Sequence, residues 1–152
     1  MNELLIKYFV FCFVIATLLA LLEIQIEGKY GWAEKLPTWR FRIKLVDIIP
    51  GLQGEFTGYH IYFFVSVLVL LHVPFLFMRW DIHTELILIS AYLLITNLED
   101  FLWFVINPHF GIKRFNRKHV WWHKDWLDNI PLRYYYSAFI WVIVFLIGFR
   151  FI

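Results

Sequence analysis

Leu93-Leu94-Ile95-Thr96-Asn97-Leu98-Glu99-Asp100-Phe101-Leu102-Trp103 sets two adjacent carboxylates and an amide inside an otherwise apolar run. The run extends from Leu86 to Ile106. That is long enough to cross a bilayer as a helix, which takes about 20 residues rising 1.5 Å each. An ionisable group at the bilayer centre costs about 2.5–3.5 kcal/mol on insertion scales, so such groups turn to the bundle interior and find partners there. Glu99 and Asp100 lie about two turns from the end of the run, where the cost is smaller. Neighbouring helical positions point 100° apart, so at most one of the two faces a given site squarely, leaving the other for a neighbouring helix or the interface.

The rest of the chain favours lipid as the solvent. Its 152 residues are 61% hydrophobic and 22% aromatic, against about 45–50% apolar residues in a soluble domain. A domain of this length still exposes roughly a third of its unfolded surface, so the surplus cannot all be hidden in a core. Leu4–Leu22, Ile61–Met78 and Tyr134–Phe149 are three further apolar stretches near spanning length. The pattern predicts an all-α chain, a single transmembrane domain over 1–152. It is an integral membrane four-helix bundle with helices at about 4–23, 60–79, 85–106 and 133–152. No small-x-small cleavage site follows Leu18-Leu19-Ala20-Leu21-Leu22-Glu23, so the first stretch reads as a retained helix.

Helices two and three are joined only by Arg79 to Glu85, which predicts an antiparallel hairpin. The other links, 24–59 and 107–133, are long and rich in tryptophan and tyrosine suited to the headgroup layer. Thr38 to Leu45 alternates polar and apolar residues, as a strand or a surface-lying segment does. Pro50-Gly51-Leu52-Gln53-Gly54 reads as a turn, and Asn107-Pro108 as the stop of helix three. The single cysteine, Cys12, excludes a disulfide within the chain and reads as a small apolar side chain.

The first long link carries Lys29, Lys35, Arg40, Arg42 and Lys44, and the second Lys113, Arg114, Arg117, Lys118, Lys124 and Arg133. That is eleven of the fourteen Lys and Arg, against Lys7, Arg79 and Arg150 at the other end. Basic loops stay cytoplasmic. Both long interfacial loops are therefore expected in the cytoplasm and both termini outside, with the basic residues available to anionic membrane lipids.

This topology gathers carboxylates and imidazoles from distant segments at one membrane level. Glu23 and Glu27, four apart, share a face at the end of helix one. His60 opens helix two, Glu99 and Asp100 sit low on helix three, and His123 lies in the following link. Carboxylate with imidazole suits a divalent metal such as zinc, iron or manganese. On this reading Glu23, Glu27, His60 and His123 are metal ligands, and Glu99 and Asp100 are the catalytic acid/base or further ligands. Arg40, Arg42, Trp32 and Trp122 are candidates for holding substrate.

Two other readings stand beside that one. A desolvated carboxylic acid can protonate a lipid or isoprenoid double bond without metal. The string Leu98-Glu99-Asp100-Phe101-Leu102-Trp103-Phe104 resembles the acidic helix motif of the small membrane-bound lycopene cyclases, Pro-x-Glu followed by Glu or Asp. Asn97 stands where that motif has proline. The resemblance is confined to this segment and implies proton donation from Glu99 or Asp100. Alternatively the carboxylates form structural acid–base pairs in a non-enzymatic membrane protein, a complex subunit or small carrier. His72, near Pro74, is remote from the cluster and reads as bonded to a backbone carbonyl. A GxSxG elbow, a phosphate-binding glycine loop and a CxxC pair are absent, and nothing points to nucleic acid.

Overall fold

A computed structural model describes residues 2–50 and 54–151. Four α-helices make up most of it: α1 (Asn2–Glu27), α2 (Gly58–Leu71), α3 (Ile82–Ile106) and α4 (Leu132–Gly148). α1 and α3 are long and apolar enough to cross a membrane. At 26 and 25 residues each extends about 38 Å.

α2 and α4 are shorter than the sequence predicts, at 14 and 17 residues. α2 stops at Leu71 because Pro74 has no N–H for the ladder and its ring would strike the preceding turn. The apolar run continues instead as a 3-10 turn over Val73–Leu76. His72 meets the break as expected, its Nδ1 2.7 Å from the Leu68 carbonyl, while its Nε2 lies 3.0 Å from Glu85 Oε1 across the hairpin.

α3 is the central element, packed along α1 on one side and α4 on the other, with lighter contact to α2. The buried stripe of α1 is Tyr8, Cys12, Ala16 and Ala20, every fourth residue. Three of the four are small, which lets the backbones approach closely. α3 answers with Ala91, Ile95, Glu99 and Trp103, again every fourth residue and all buried. At the far end Tyr8 ties three helices together, its hydroxyl 2.9 Å from Ser90 Oγ and accepting from Trp141 Nε1 at 3.2 Å. Large apolar side chains on the outer surfaces, among them Val10, Phe13, Val69, Phe139 and Ile140, are exposed.

The long links fold against one end of the bundle. In the first, β1 (Arg40–Phe41) pairs antiparallel with β2 (Phe56–Thr57), Arg40 opposite Thr57. The alternating segment 38–45 thus contributes only a two-residue strand. The expected turn at 50–54 falls on residues 51–53, outside the described residues. In the second link, β3 (Trp126–Leu127) and β4 (Ile130–Pro131) form a hairpin leading into α4. Segment 119–123 is a succession of turns rather than a helix. His119 and His123, whose spacing of four would place them on one face of a helix, therefore share no face, and His119 is exposed with its Nδ1 2.9 Å from Asn116 Oδ1.

Candidate metal centre

Gly28 ends α1 in the left-handed conformation (φ 62°), where its N–H bonds the Ile24 carbonyl at 2.9 Å. This is the glycine stop expected just past a helix. At the same level Asn107 ends α3. It is 1% exposed, donates from Nδ2 to the Gly28 carbonyl at 2.7 Å, and accepts from the His109 and Phe110 N–H groups through Oδ1. One side chain thus closes α3 and ties its end to the end of α1, setting the carboxylates of both helices side by side.

The α1 stripe passes from Ala20 into Glu23 and Glu27, both buried. His60 reaches them from the first turn of α2, its Nε2 3.3 Å from Glu23 Oε1 and 3.5 Å from Glu27 Oε1. One ligand atom from each of the three residues lies within 4.8 Å of the other two. Two donors about 2.1 Å from a tetrahedral ion stand about 3.4 Å apart, so these separations are those of ligand edges. Glu23 Oε1, although buried, has no hydrogen-bond partner. A cavity of about 20 Å³ adjoins these groups, lined also by Trp32, Asp100 and Trp103. That volume suits one water or one ion.

Thr57 fixes the imidazole. It caps α2 by accepting from the His60 N–H at 3.2 Å, and the same Oγ1 lies 2.6 Å from His60 Nδ1. In the tautomer with Nδ1–H donating to Thr57, the Nε2 lone pair would be free for a cation lying between it and the two carboxylates. A hydrogen bond at the far nitrogen is how metal-binding imidazoles are normally oriented. Trp32 stacks on the other side of the ring at 4.3 Å. Trp32 and Ala33 both have positive φ, 58° and 52°, a conformation non-glycine residues adopt only when their surroundings hold them there. Here Ala33 N–H donates to Glu27 Oε1 at 2.5 Å, Trp32 Nε1 donates to the Glu55 carbonyl at 2.7 Å, and Arg40 donates to the Ala33 carbonyl.

Glu99 and Asp100 diverge. Glu99, 1% exposed, lies on the stripe facing α1, within hydrogen-bonding reach of Glu23. Asp100 turns toward α4 and the second link, where it accepts a hydrogen bond from the Tyr134 hydroxyl, and its Oδ2 is 3.3 Å from His123 Nε2. One helical turn earlier Asn97 Oδ1 accepts from Ser137 Oγ at 2.5 Å, so a matched polar pair joins the same two helices. His123 is buried, and burial pushes its imidazole below the ordinary histidine value, with Asp100 opposing the shift.

The structure therefore brings Glu23, Glu27, His60, Glu99, Asp100 and His123 to one end of the bundle, with Trp32 and Trp122 lining the small cavity. His123 faces Asp100 rather than the Glu23, Glu27 and His60 triad. Arg40 is used internally, paired with Glu55 Oε2 at 3.0 Å, and Arg42 is exposed outside the cluster. Beyond Asp100, between α3 and α4, lies an apolar groove of about 440 Å³ walled by Leu98, Phe101, Phe115, Tyr134 and Trp141. Thr57, Asn107 and Tyr134 were not singled out as site residues from the sequence. The first carries a legible signal, an N-cap threonine three residues before His60.

Comparison of the chain with protein-family models, with curated proteins and with solved structures gives no match.

Proposed function

We propose that this chain is an integral membrane enzyme of four helices that binds a divalent metal and acts on a lipid or isoprenoid-like substrate at the cytoplasmic interface. The observation that carries the reading is the buried Glu23–Glu27–His60 triad at ligand-edge spacing. Two carboxylates and a neutral imidazole make a neutral site with one divalent cation, which removes the large penalty of burying unpaired charge. With zinc, iron or manganese in place, the ion would polarise a substrate oxygen or generate a nucleophilic water.

The apolar groove supports the substrate class. Its volume falls within the roughly 300–1,000 Å³ of small-molecule pockets. Tyr134 belongs to its wall and hydrogen-bonds Asp100, which lines the metal cavity. A hydrocarbon chain in the groove would bring its polar end to the hydrogen-bonded Asp100–Tyr134 pair. The excess of basic residues in the two long links supports a cytoplasmic location for this end of the bundle. A reporter active only in the cytoplasm, fused after Ile152, is expected to stay silent.

Elemental analysis of the purified protein, with mass spectrometry of co-purified lipid, tests the proposal. Stoichiometric metal that disappears in His60→Ala, together with a bound lipid, is the expected result. A wild-type protein that is monodisperse in detergent and takes up no metal on dialysis against zinc, iron or manganese would refute it.

A further inference from the structure

We infer that the centre is binuclear, with a second divalent cation held beside the first by Asp100 and His123. This rests on the metal reading above and extends it to residues outside the triad. Its first support is the donor inventory. Four carboxylates (Glu23, Glu27, Glu99, Asp100) and two imidazoles (His60, His123) meet at one end of a helical bundle. That is the complement used by di-metal carboxylate sites in helical bundles, four carboxylates with two histidines.

Charge is the second support. A single divalent ion in the triad balances Glu23 and Glu27 and leaves Glu99 and Asp100. Arg133 is the cation that acts on Asp100, and no ion pair joins a Lys or Arg to Glu99 among the described residues. A buried carboxylate without a counter-charge is expensive. With Arg133 beside Asp100, Glu99 is the buried carboxylate left without a counter-charge, and a second divalent ion would supply one.

An unused donor atom is the third. His123 Nε2 is buried without a hydrogen-bond partner, in a residue only 6% exposed. His123 Nε2 stands 3.3 Å from Asp100 Oδ2 without hydrogen-bond geometry, again the edge of about 3.4 Å expected around a tetrahedral ion. The Tyr134 hydroxyl bonded to Asp100 then serves as the outer partner that orients a ligating carboxylate. Glu99, within reach of Glu23 on the α1 side, adds a further buried carboxylate beside the triad.

Reconstitution with Mn2+ alone tests this. Equilibrium dialysis with elemental analysis is expected to give two ions per wild-type chain, and one in Asp100→Asn and in His123→Ala. Asp100→Asn is nearly isosteric, so it remains informative where the histidine variant does not fold. Glu99→Gln is expected to weaken uptake of the second ion at least tenfold. Two Mn2+ ions about 4 Å apart couple magnetically, so the paramagnetic signal of bound metal should be broadened in wild type and become that of isolated Mn2+ in Asp100→Asn. One ion per wild-type chain, lost in His60→Ala and retained in Asp100→Asn, overturns the second site while leaving the metalloenzyme reading intact. Two ions with uncoupled spectra overturn the binuclear arrangement. No bound ion in wild type overturns both readings.

Discussion

Thr57→Val removes one oxygen atom and leaves the shape of the side chain nearly unchanged, yet that oxygen serves two groups. It accepts from the His60 N–H at 3.2 Å as the N-cap of α2, and it meets His60 Nδ1 at 2.6 Å. Loss of an N-cap threonine costs about 1 kcal/mol, with a range of roughly 0.5–2. Leaving a buried imidazole nitrogen without its partner costs about 1–3 kcal/mol more. Because Thr57 is fully buried, water cannot replace the lost bonds, so the variant is expected to lose about 2–4 kcal/mol of stability. Metal binding should fall separately. The imidazole keeps its Trp32 stack but loses the bond that selects the Nε2 lone pair, and outer-shell losses of this kind weaken metal affinity about 10–100-fold. Thermal unfolding in detergent measures the first effect and competition against a metal chelator the second. Thr57→Ser keeps the oxygen and should restore most of both. A valine variant that binds metal within twofold of wild type, with stability lowered as expected, would show that Thr57 is only a helix cap and that His60 is not a ligand held in one tautomer.

A Cβ added at Gly31 would overlap the Trp122 ring, so Gly31→Ala is expected to cost about 1–3 kcal/mol through overpacking and to change tryptophan fluorescence, since Trp122 must move out of the cavity wall. Chelation of bound metal should destabilise the protein by RT ln(1 + [L]/Kd), about 2.7 kcal/mol for an ion held at 100 times its Kd, and a calorimetric scan with and without chelator checks this. At the opposite end of the molecule Asp81 caps α3, and its hydrogen bonds from Thr84 hold its carboxyl below the ordinary aspartate value. The folded value being the lower, this contribution is present above the unfolded value and fades as pH falls through the folded one. Asp81→Asn, which still caps, should flatten that acid limb of the stability profile without changing metal content.

The helices were legible because lipid-length apolar runs are a strong signal, and the polar end of the bundle was legible because Glu99 and Asp100 have no business in such a run without partners. What the sequence hid follows from local backbone chemistry. Pro74 shortens α2 by its missing N–H, and hydropathy is blind to that. The spacing of His119 and His123 suggests a shared helical face, but a segment of consecutive turns places one outside and the other inside. Arg40 reads as a free cation for an anionic headgroup because its partners, Glu55 and the carbonyls of Trp32 and Ala33, are fixed only when residues 28–39 fold over α1. Tyr134 was legible in principle. Tyr134 and Ser137 repeat the three-residue spacing of Asn97 and Asp100, and two such pairs on neighbouring helices can match only if the helices pack in that register.

The adjacency of Glu99 and Asp100 explains why one short stretch of α3 can serve two environments. Had the second carboxylate been four residues from Glu99 rather than one, it would have followed Ile95 and Glu99 down the stripe toward α1. The polar cavity would then have had no connection to the groove on the other side of the helix. A rotation of 100° sends Asp100 to Tyr134 and His123 while Glu99 stays with Glu23. The backbone of α3 therefore forms a thin wall, with metal-type ligands against α1 and an apolar channel against α4, and Asp100 is the carboxylate whose surroundings include both. On the proposed reading, a hydrocarbon must reach the charged centre without opening that centre to the bilayer. The small side chains Cys12, Ala16 and Ala20 pack the α1 face above the carboxylates, the Asn97–Ser137 pair joins α3 to α4 one turn above Asp100, and the Asp100–Tyr134 hydrogen bond links the lining of the cavity to the wall of the groove.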